Sequence, residues 1–216
     1  MSVLANRYAS KEMCEIWSAE NKIKAERRLW IEVMKFQAAT LNIPAEAIAK
    51  YESVLEKIDL ASIDEREKKS RHDVKARIDE FNALAGHEYI HLGMTSRDLT
   101  ENIEAAQILA ALKLIQARTA SLLFQIANKA QLYKALPIVG RSHNVPAQIT
   151  TLGKKFATVG EEFLFAFERL NNLIERYPIR GFKGPVGTSQ DMVDLLGSAA
   201  DRSFKASKWI ALNQII

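Results

Sequence analysis

The stretch DLTENIEAAQILAALKLIQARTASLLFQIANKAQLYKAL, Asp98 to Leu136, contains neither glycine nor proline and is broken only by Pro137. It permits one helix of about 38 residues, roughly 57 Å long at about 1.5 Å per residue. Leu99, Ile103, Ala106, Ala110, Leu114 and Ala117 fall on one stripe of that helix. Ile108, Leu112, Ile115, Leu122 and Ile126 fall on another, largely opposite. A helix that is apolar on two faces needs neighbours on both. A chain of 216 residues has few long helices to supply them, so the pattern points to a bundle and to packing between subunits.

Outward from this run the signals remain helical. A second long helix fits from about Gln148 to Arg176 and stops before Pro178. Towards the amino terminus, Ser10 can cap a short helix through Trp17, and a longer one runs from about Ser18 to Leu41. That helix ends at the Asn42-Ile43-Pro44 breaker, and another follows from about Ala45 to Ile58. Ser62-Ile63-Asp64-Glu65 reads as a capping box, and Asp73 suits the start of a helix to Leu84 that Gly86 breaks. No segment shows convincing strand alternation. The expected fold is all-α: a small helical amino-terminal domain over 1–97, then the first long helices of a central bundle over 98–216.

Composition narrows the class. Hydrophobic residues make up 48% and charged residues 26%, ordinary for a soluble globular chain. No apolar run is long enough to span a bilayer, and Met1 to Ser10 carry no secretory signal. The single cysteine, Cys14, rules out an intrachain disulfide, so a cytoplasmic protein is expected. The net charge is +4. The dense basic cluster, Arg66 to Arg71, is interrupted by Glu67 and holds no aromatic residue, a poor stacking platform for nucleic acid. Neither a membrane nor a nucleic-acid partner is expected.

The loops carry the chemistry. Gly140 to Thr151 holds His143 just before a helix start, where an imidazole can exchange protons or simply bond the loop backbone. Ser70-Arg71-His72-Asp73 sets a cation, an imidazole and a carboxylate in sequence. Arg71 can grip a phosphate or carboxylate, and Asp73 can orient His72 or cap the next helix. His91 to Asp98 brings Thr95 and Ser96 to the mouth of the long helix, where free N–H groups attract anions or are capped by Asp98 or Ser96. Gly181 to Thr188 is glycine-rich and bears Lys183, without the order of a P-loop. His87-Glu88-Tyr89-Ile90-His91 matches H-E-x-x-H literally. Gly86 and Gly93 leave it barely two turns and no third ligand stands out, so neither a metal nor another cofactor is expected.

Five of these strings, in order, resemble the adenylosuccinate lyases of the fumarase/aspartase superfamily. Arg7-Tyr8-Ala9-Ser10-Lys11-Glu12-Met13 is similar to the family's opening motif, whose Arg-Tyr pair contacts the substrate phosphate. Arg71-His72-Asp73-Val74 looks like its RHDV segment, and His91-Leu92-Gly93-Met94-Thr95-Ser96 like the first superfamily signature. Ser142-His143, with Pro146-Ala147-Gln148 and Thr150 to Lys154, resembles the second signature, which carries the catalytic histidine. Arg180 to Thr188 resembles the glycine-rich stretch after the bundle's second helix. The family usually has threonine where this chain has Ser142, which keeps the hydroxyl. Its third signature, a serine-rich loop of the form SSxMPxKxNP, does not occur in the 216 residues, so an amino-terminal portion, inactive alone, is expected.

The resemblance implies a β-elimination: adenylosuccinate to AMP and fumarate, and the succinyl-carboxamide ribotide to the carboxamide ribotide and fumarate. It implies His143 as general acid, Arg7 and Tyr8 on the phosphate, and Arg71, His72 and Asp73 positioning the nucleotide, with His72 able to support acid catalysis. It implies Thr95 and Ser96 on the succinyl carboxylates, and a homotetramer whose subunits share active sites. Two other readings stand beside it. A sister lyase for argininosuccinate or a dicarboxylic acid would leave the Arg7-Tyr8 and Arg71-His72-Asp73 groups without a phosphate to hold. A non-catalytic helical scaffold would leave polar loops gathered at helix ends without a role.

Overall fold

The computed structural model describes residues 3–197, so the last part of the expected 98–216 bundle lies outside the described residues. Among those residues the chain is helical apart from one hairpin. In order come α1 (Val3–Tyr8), α2 (Lys11–Ile16), α3 (Ala19–Leu41), α4 (Ala45–Val54), α5 (Leu60–Ser70), α6 (Asp73–Ala85) and α7 (Ser96–Leu132). Then follow β1 (Pro137–Ser142), β2 (Val145–Thr151), α8 (Leu152–Glu175) and α9 (Gln190–Leu196). Two compact units emerge, one of residues up to Ile108 and from Pro178 on, the other of Leu109–Tyr177.

The first unit is built around α3. Its Leu29, Trp30, Ile31, Val33 and Met34 are buried with Ala47 and Tyr51 of α4, Val74 and Phe81 of α6, and Leu99 and Ile103 of α7. Phe182, Met192 and Leu196 complete this core from the carboxyl-terminal side. Tyr51 meets Phe81 edge-on at 4.9 Å between ring centres. Ser10 caps α2 as the sequence suggests, accepting from Met13 N–H, and Ser18 caps α3 by accepting from Asn21 N–H.

Two adjacent charges of α3 are fully buried and differ in how they are satisfied. Arg27 Nη1 donates to the carbonyls of Val54, Leu55 and Lys57 at 3.1, 2.8 and 3.0 Å, ending α4. Its Nη2 pairs with buried Glu80, and its guanidinium lies 4.5 Å over the Phe81 ring. Glu26 faces Arg77, whose Nε sits 2.7 Å from Glu26 Oε2, out of line for a hydrogen bond. Burial pushes the Glu26 carboxyl up to about 7, against the downward pull of Arg77.

The second unit pairs the later part of α7 with α8. Gln116 donates to Asn171 Oδ1 at 2.7 Å across them. Gly153 makes the close approach possible: a Cβ there would lie 2.5 Å from the Ala130 carbonyl oxygen and 2.6 Å from Lys134 Cα. A groove of about 690 Å³ between the helices is lined by Leu123, Ile126, Ala127, Ala157, Gly160 and Leu164. Leu122, Phe124, Phe163, Leu164 and Phe165 stand exposed on this unit.

Several expectations are corrected. Residues 137–151 form an antiparallel hairpin, not a loop running into a helix at Gln148, and α8 begins at Leu152. Both hairpin strands are largely exposed, with Val139, Val145 and Ile149 open to solvent, so neither strand has a buried apolar face to mark it in the sequence. Asp59, not Ser62, caps α5, three residues ahead of the expected box. His72 occupies the N-cap of α6 and Asp73 is its first helical residue. α4 stops at Val54, short of Ile58, because its last carbonyls turn to Arg27. α7 starts at Ser96, two residues before the expected Asp98. The His87–His91 string is not helical, so its histidines share no helix face. No helix among the described residues is long and apolar enough to cross a membrane.

The Glu26 carboxyl gives the stability a pH dependence. Its folded-state value, about 7, lies above the ordinary 4.5, so its contribution is full below about pH 4.5 and lost as pH rises through about 7. The loss amounts to at most about 3 kcal/mol. Thermal melts of the wild type and Glu26→Gln between pH 4.5 and 8 should diverge, the wild type losing ground as pH rises. Parallel curves would mean that Glu26 is ionised in the folded chain throughout.

Candidate active site

The start of α7 is organised by Asp98, which is wholly buried. As the third residue of the helix it reaches back to accept the Thr95 N–H at 3.1 Å, one half of a capping box. The same carboxylate accepts the N–H groups of Lys183 at 2.9 Å and Gly184 at 3.1 Å, and the Arg180 Nε–H at 3.3 Å. One turn on, Asn102 accepts from the Gly181 N–H and donates to the Gly181 carbonyl, at 2.9 and 3.1 Å. Arg180 also reaches Glu101 at 2.9 Å and the Gly184 carbonyl at 2.9 Å. The glycine-rich loop and the Thr95-Ser96 segment are therefore laced to one carboxylate. Gly181 and Gly184 both have φ of 71°, turns that other residues adopt only with strain.

Opposite Ser96 stands the start of α6. His72 Nδ1 accepts the Lys75 N–H at 3.2 Å, and its Nε2 lies 3.3 Å from Ser96 Oγ. Asp73 is drawn to Arg77, which donates to its Oδ2 at 2.9 Å. Desolvation pushes the Asp73 carboxyl up, but the Arg77 hydrogen bond and charge outweigh it and hold the group below its usual range. Arg71 caps the end of α5 with φ of 55° and exposes its side chain. Of the residues singled out in the sequence, His72 and Ser96 are thus in direct contact, Asp73 adjoins them, and Thr95 precedes Ser96.

Arg7 and Tyr8 end α1 and are both exposed. His143 lies in the second unit, at the tip of the hairpin, and is exposed. His143 and Asn144 form its two-residue turn with φ of 49° and 64°, the left-handed pair of a type I′ turn. Asn-Gly is the usual pair in such a turn, and here His143 and Asn144 take its place. Arg141 donates to the Asn144 carbonyl at 2.9 Å across the turn. The base of the hairpin is fastened by Leu152 N–H on the Leu136 carbonyl at 3.0 Å and Gly153 N–H on the Tyr133 carbonyl at 2.9 Å.

His91 takes a structural place. Trp30 Nε1–H donates to its Nδ1 at 3.0 Å, and burial pushes the ring down to about 4, so it is neutral at ordinary pH. Asp98, Asn102 and Arg180 were not singled out as site residues. The signal available for Asp98 was its place three residues after Thr95, the spacing of a capping box. Among the described residues no three His, Cys, Asp or Glu side chains gather as a metal site.

Known proteins share this architecture. A family model described as lyase matches residues 6–192. Adenylosuccinate lyase of Saccharomyces cerevisiae is 34% identical over 210 residues, covering 92% of this chain and 42% of its own length. Adenylosuccinate lyase of Schistosoma mansoni is 33% identical over 197 residues, covering 89% of this chain and 41% of its own. The chain thus spans about two-fifths of the length of these curated relatives. Among solved structures, a fumarate lyase from Mesorhizobium sp. BNC1 superposes with a TM-score of 0.78 at 23% identity, over 92% of this chain and 48% of that one. A β-carboxy-cis,cis-muconate cycloisomerase from Acinetobacter calcoaceticus sp. ADP1 gives 0.81 at 21%, over 97% and 50%, and at such identities the likeness concerns the fold. Adenylosuccinate lyases are among the curated proteins that the chain resembles in sequence, and the chain belongs to the lyase family.

Proposed function

We propose that this chain serves an adenylosuccinate lyase, a cytoplasmic enzyme of purine nucleotide synthesis that needs no cofactor. The reaction is a β-elimination across a C–N bond: a proton leaves the carbon beside a carboxylate, the C–N bond breaks, and fumarate departs from AMP. The succinyl-carboxamide ribotide undergoes the parallel cleavage. The observation that carries the reading is the histidine at the hairpin tip, exposed and held in a two-residue turn with its backbone in the left-handed region. An exposed imidazole can deliver the proton that the departing nitrogen needs. His143 is assigned that role.

Thr95 and Ser96, at the start of a 37-residue helix, suit the succinyl carboxylates through hydroxyl and N–H donors. Arg71, His72 and Asp73 position the nucleotide, and Arg7 with Tyr8 takes the phosphate, a remote anchor that fixes the reacting end. The domain division follows the same reading, with 1–97 as the amino-terminal domain and 98–216 opening the bundle. The exposed Leu122, Phe124, Phe163, Leu164 and Phe165 support assembly into a homotetramer with shared active sites, because water tolerates few such patches on a monomer. Neither nucleic acid nor membrane is among its partners.

Fumarate release from adenylosuccinate, followed by absorbance in the protein as its cell makes it, tests the assignment. His143→Ala should lower the rate by about 10²-fold or more. Activity unchanged by that substitution would remove His143 as the acid, and no release at all would favour a scaffold. Sedimentation of the same protein should give a tetramer, and Phe124→Glu with Phe165→Glu should dissociate it. A monomer before substitution would sink the shared-site reading.

A further inference from the structure

Every polar group around His72 is already spoken for in a way that dictates where its proton sits. Serine, aspartate and asparagine are the usual N-cap residues, and Ser70 and Asp73 flank His72 on either side. Neither caps α6. Ser70 Oγ instead holds the His72 backbone, accepting its N–H at 3.3 Å and donating to its carbonyl at 3.2 Å. Asp73 is engaged by Arg77 at 2.9 Å and stands 3.7 Å from His72 Nδ1, beyond hydrogen-bond reach. The cap is left to the imidazole, whose Nδ1 accepts the Lys75 N–H.

A nitrogen that accepts carries no hydrogen. In the neutral ring the proton is then on Nε2. That atom faces Ser96 Oγ at 3.3 Å, so it donates to the hydroxyl oxygen. A serine hydroxyl has one hydrogen and two lone pairs, and with one lone pair occupied from behind its own hydrogen turns outward. We infer that His72 is a positioning residue rather than a proton donor to substrate: it relays the free N–H of the α6 start through its ring, so that Ser96 offers a hydrogen to an anionic oxygen. All three donors point the same way, from Lys75 N–H to Nδ1, from Nε2–H to Oγ, and from O–H to the ligand.

The inference rests on the lyase reading for its ligand, a carboxylate or phosphate oxygen, but the direction of the relay stands on the two helix starts alone. Two substitutions split the ring into its halves. Asparagine can retain the capping acceptor but falls short of Ser96. Glutamine can extend an N–H towards Ser96 but is a poor cap.

In the protein as its cell makes it, His72→Asn should keep the melting temperature of the wild type, while His72→Gln should lower it. Binding should rank the other way. The KM for adenylosuccinate should rise about 3- to 10-fold in the Asn variant, the loss of one hydrogen bond, and less in the Gln variant. Titration with inorganic phosphate and with succinate distinguishes the anion: whichever loses affinity in both His72→Asn and Ser96→Ala is the one Ser96 holds. Equal losses of about 10²-fold or more in kcat for Asn and Gln, with one limb of the pH–rate profile gone, would make His72 a proton donor and overturn the inference. A nitrogen-15 spectrum showing the proton on Nδ1 would overturn it as well. If the wild type released no fumarate, the lyase reading would fail, while the melting order and the spectrum would still decide the relay.

Discussion

A carboxylate with no solvent exposure must be saturated by donors or it destabilises the fold by several kcal/mol. Asp98 meets that demand with backbone N–H groups drawn from two distant stretches, Thr95 before it and Lys183-Gly184 some eighty residues on, together with the Arg180 guanidinium. Much else in the first unit follows. The helix start at Ser96 is set because the chain must bend there to bring the Thr95 N–H onto the carboxylate. The glycine-rich segment enters the left-handed region at Gly181, Gly184 and Gly187, and its amides converge on the carboxylate. Phe182 then enters the core, with Met192 and Leu196 beyond it. The contact between Ser96 and His72 is a by-product of this lacing, since the same bend presents Ser96 to the start of α6.

α3 shows how differently two neighbouring charges can be used. Arg27 is buried among the carbonyls at and just beyond the end of α4, so one guanidinium both ends α4 and ties it to α6 through Glu80. Glu26, one residue earlier, faces an arginine already shared with Asp73. Its carboxylate is left without a hydrogen bond, and its proton affinity rises accordingly. The Glu26–Arg77–Asp73 line thus runs from the core to the surface beside His72.

Long helices were legible because they need only an uninterrupted periodic run, which α7 and α3 have. A cap was legible where one polar residue stood alone before a helix, as Ser10 does. Caps were misread where several competed: Asp59 outranks Ser62, and His72 takes the place that Ser70 and Asp73 would fill by propensity. The hairpin was hidden for another reason. Its strands bury neither face, Pro137 and Pro146 interrupt them, and the turn reads His-Asn where Asn-Gly would have announced it. The candidate site residues were named through the likeness of five short strings to a family. The contact of His72 with Ser96, and the lacing by Asp98, depend on separations of 24 and 86 residues that no local pattern encodes.

The hairpin carrying His143 is also a ruler. Its base is fixed by two backbone hydrogen bonds to the turn after α7, and a bulge at Ala147-Gln148, opposite Gly140, absorbs one residue of register between Val139 and Arg141. Side chains on a strand alternate between faces, so inserting a single residue in either arm would swing every later side chain to the other side. A matched pair, one residue in each arm, would keep the turn but carry the imidazole about 3 Å further out. Drift in side-chain identity at Val139, Val145 or Ile149 costs this hairpin little, because these side chains are largely exposed. Drift in length is another matter. Among descendants of this sequence, gaps and insertions should be scarcer between 137 and 151 than substitutions are, the reverse of what exposed segments generally show.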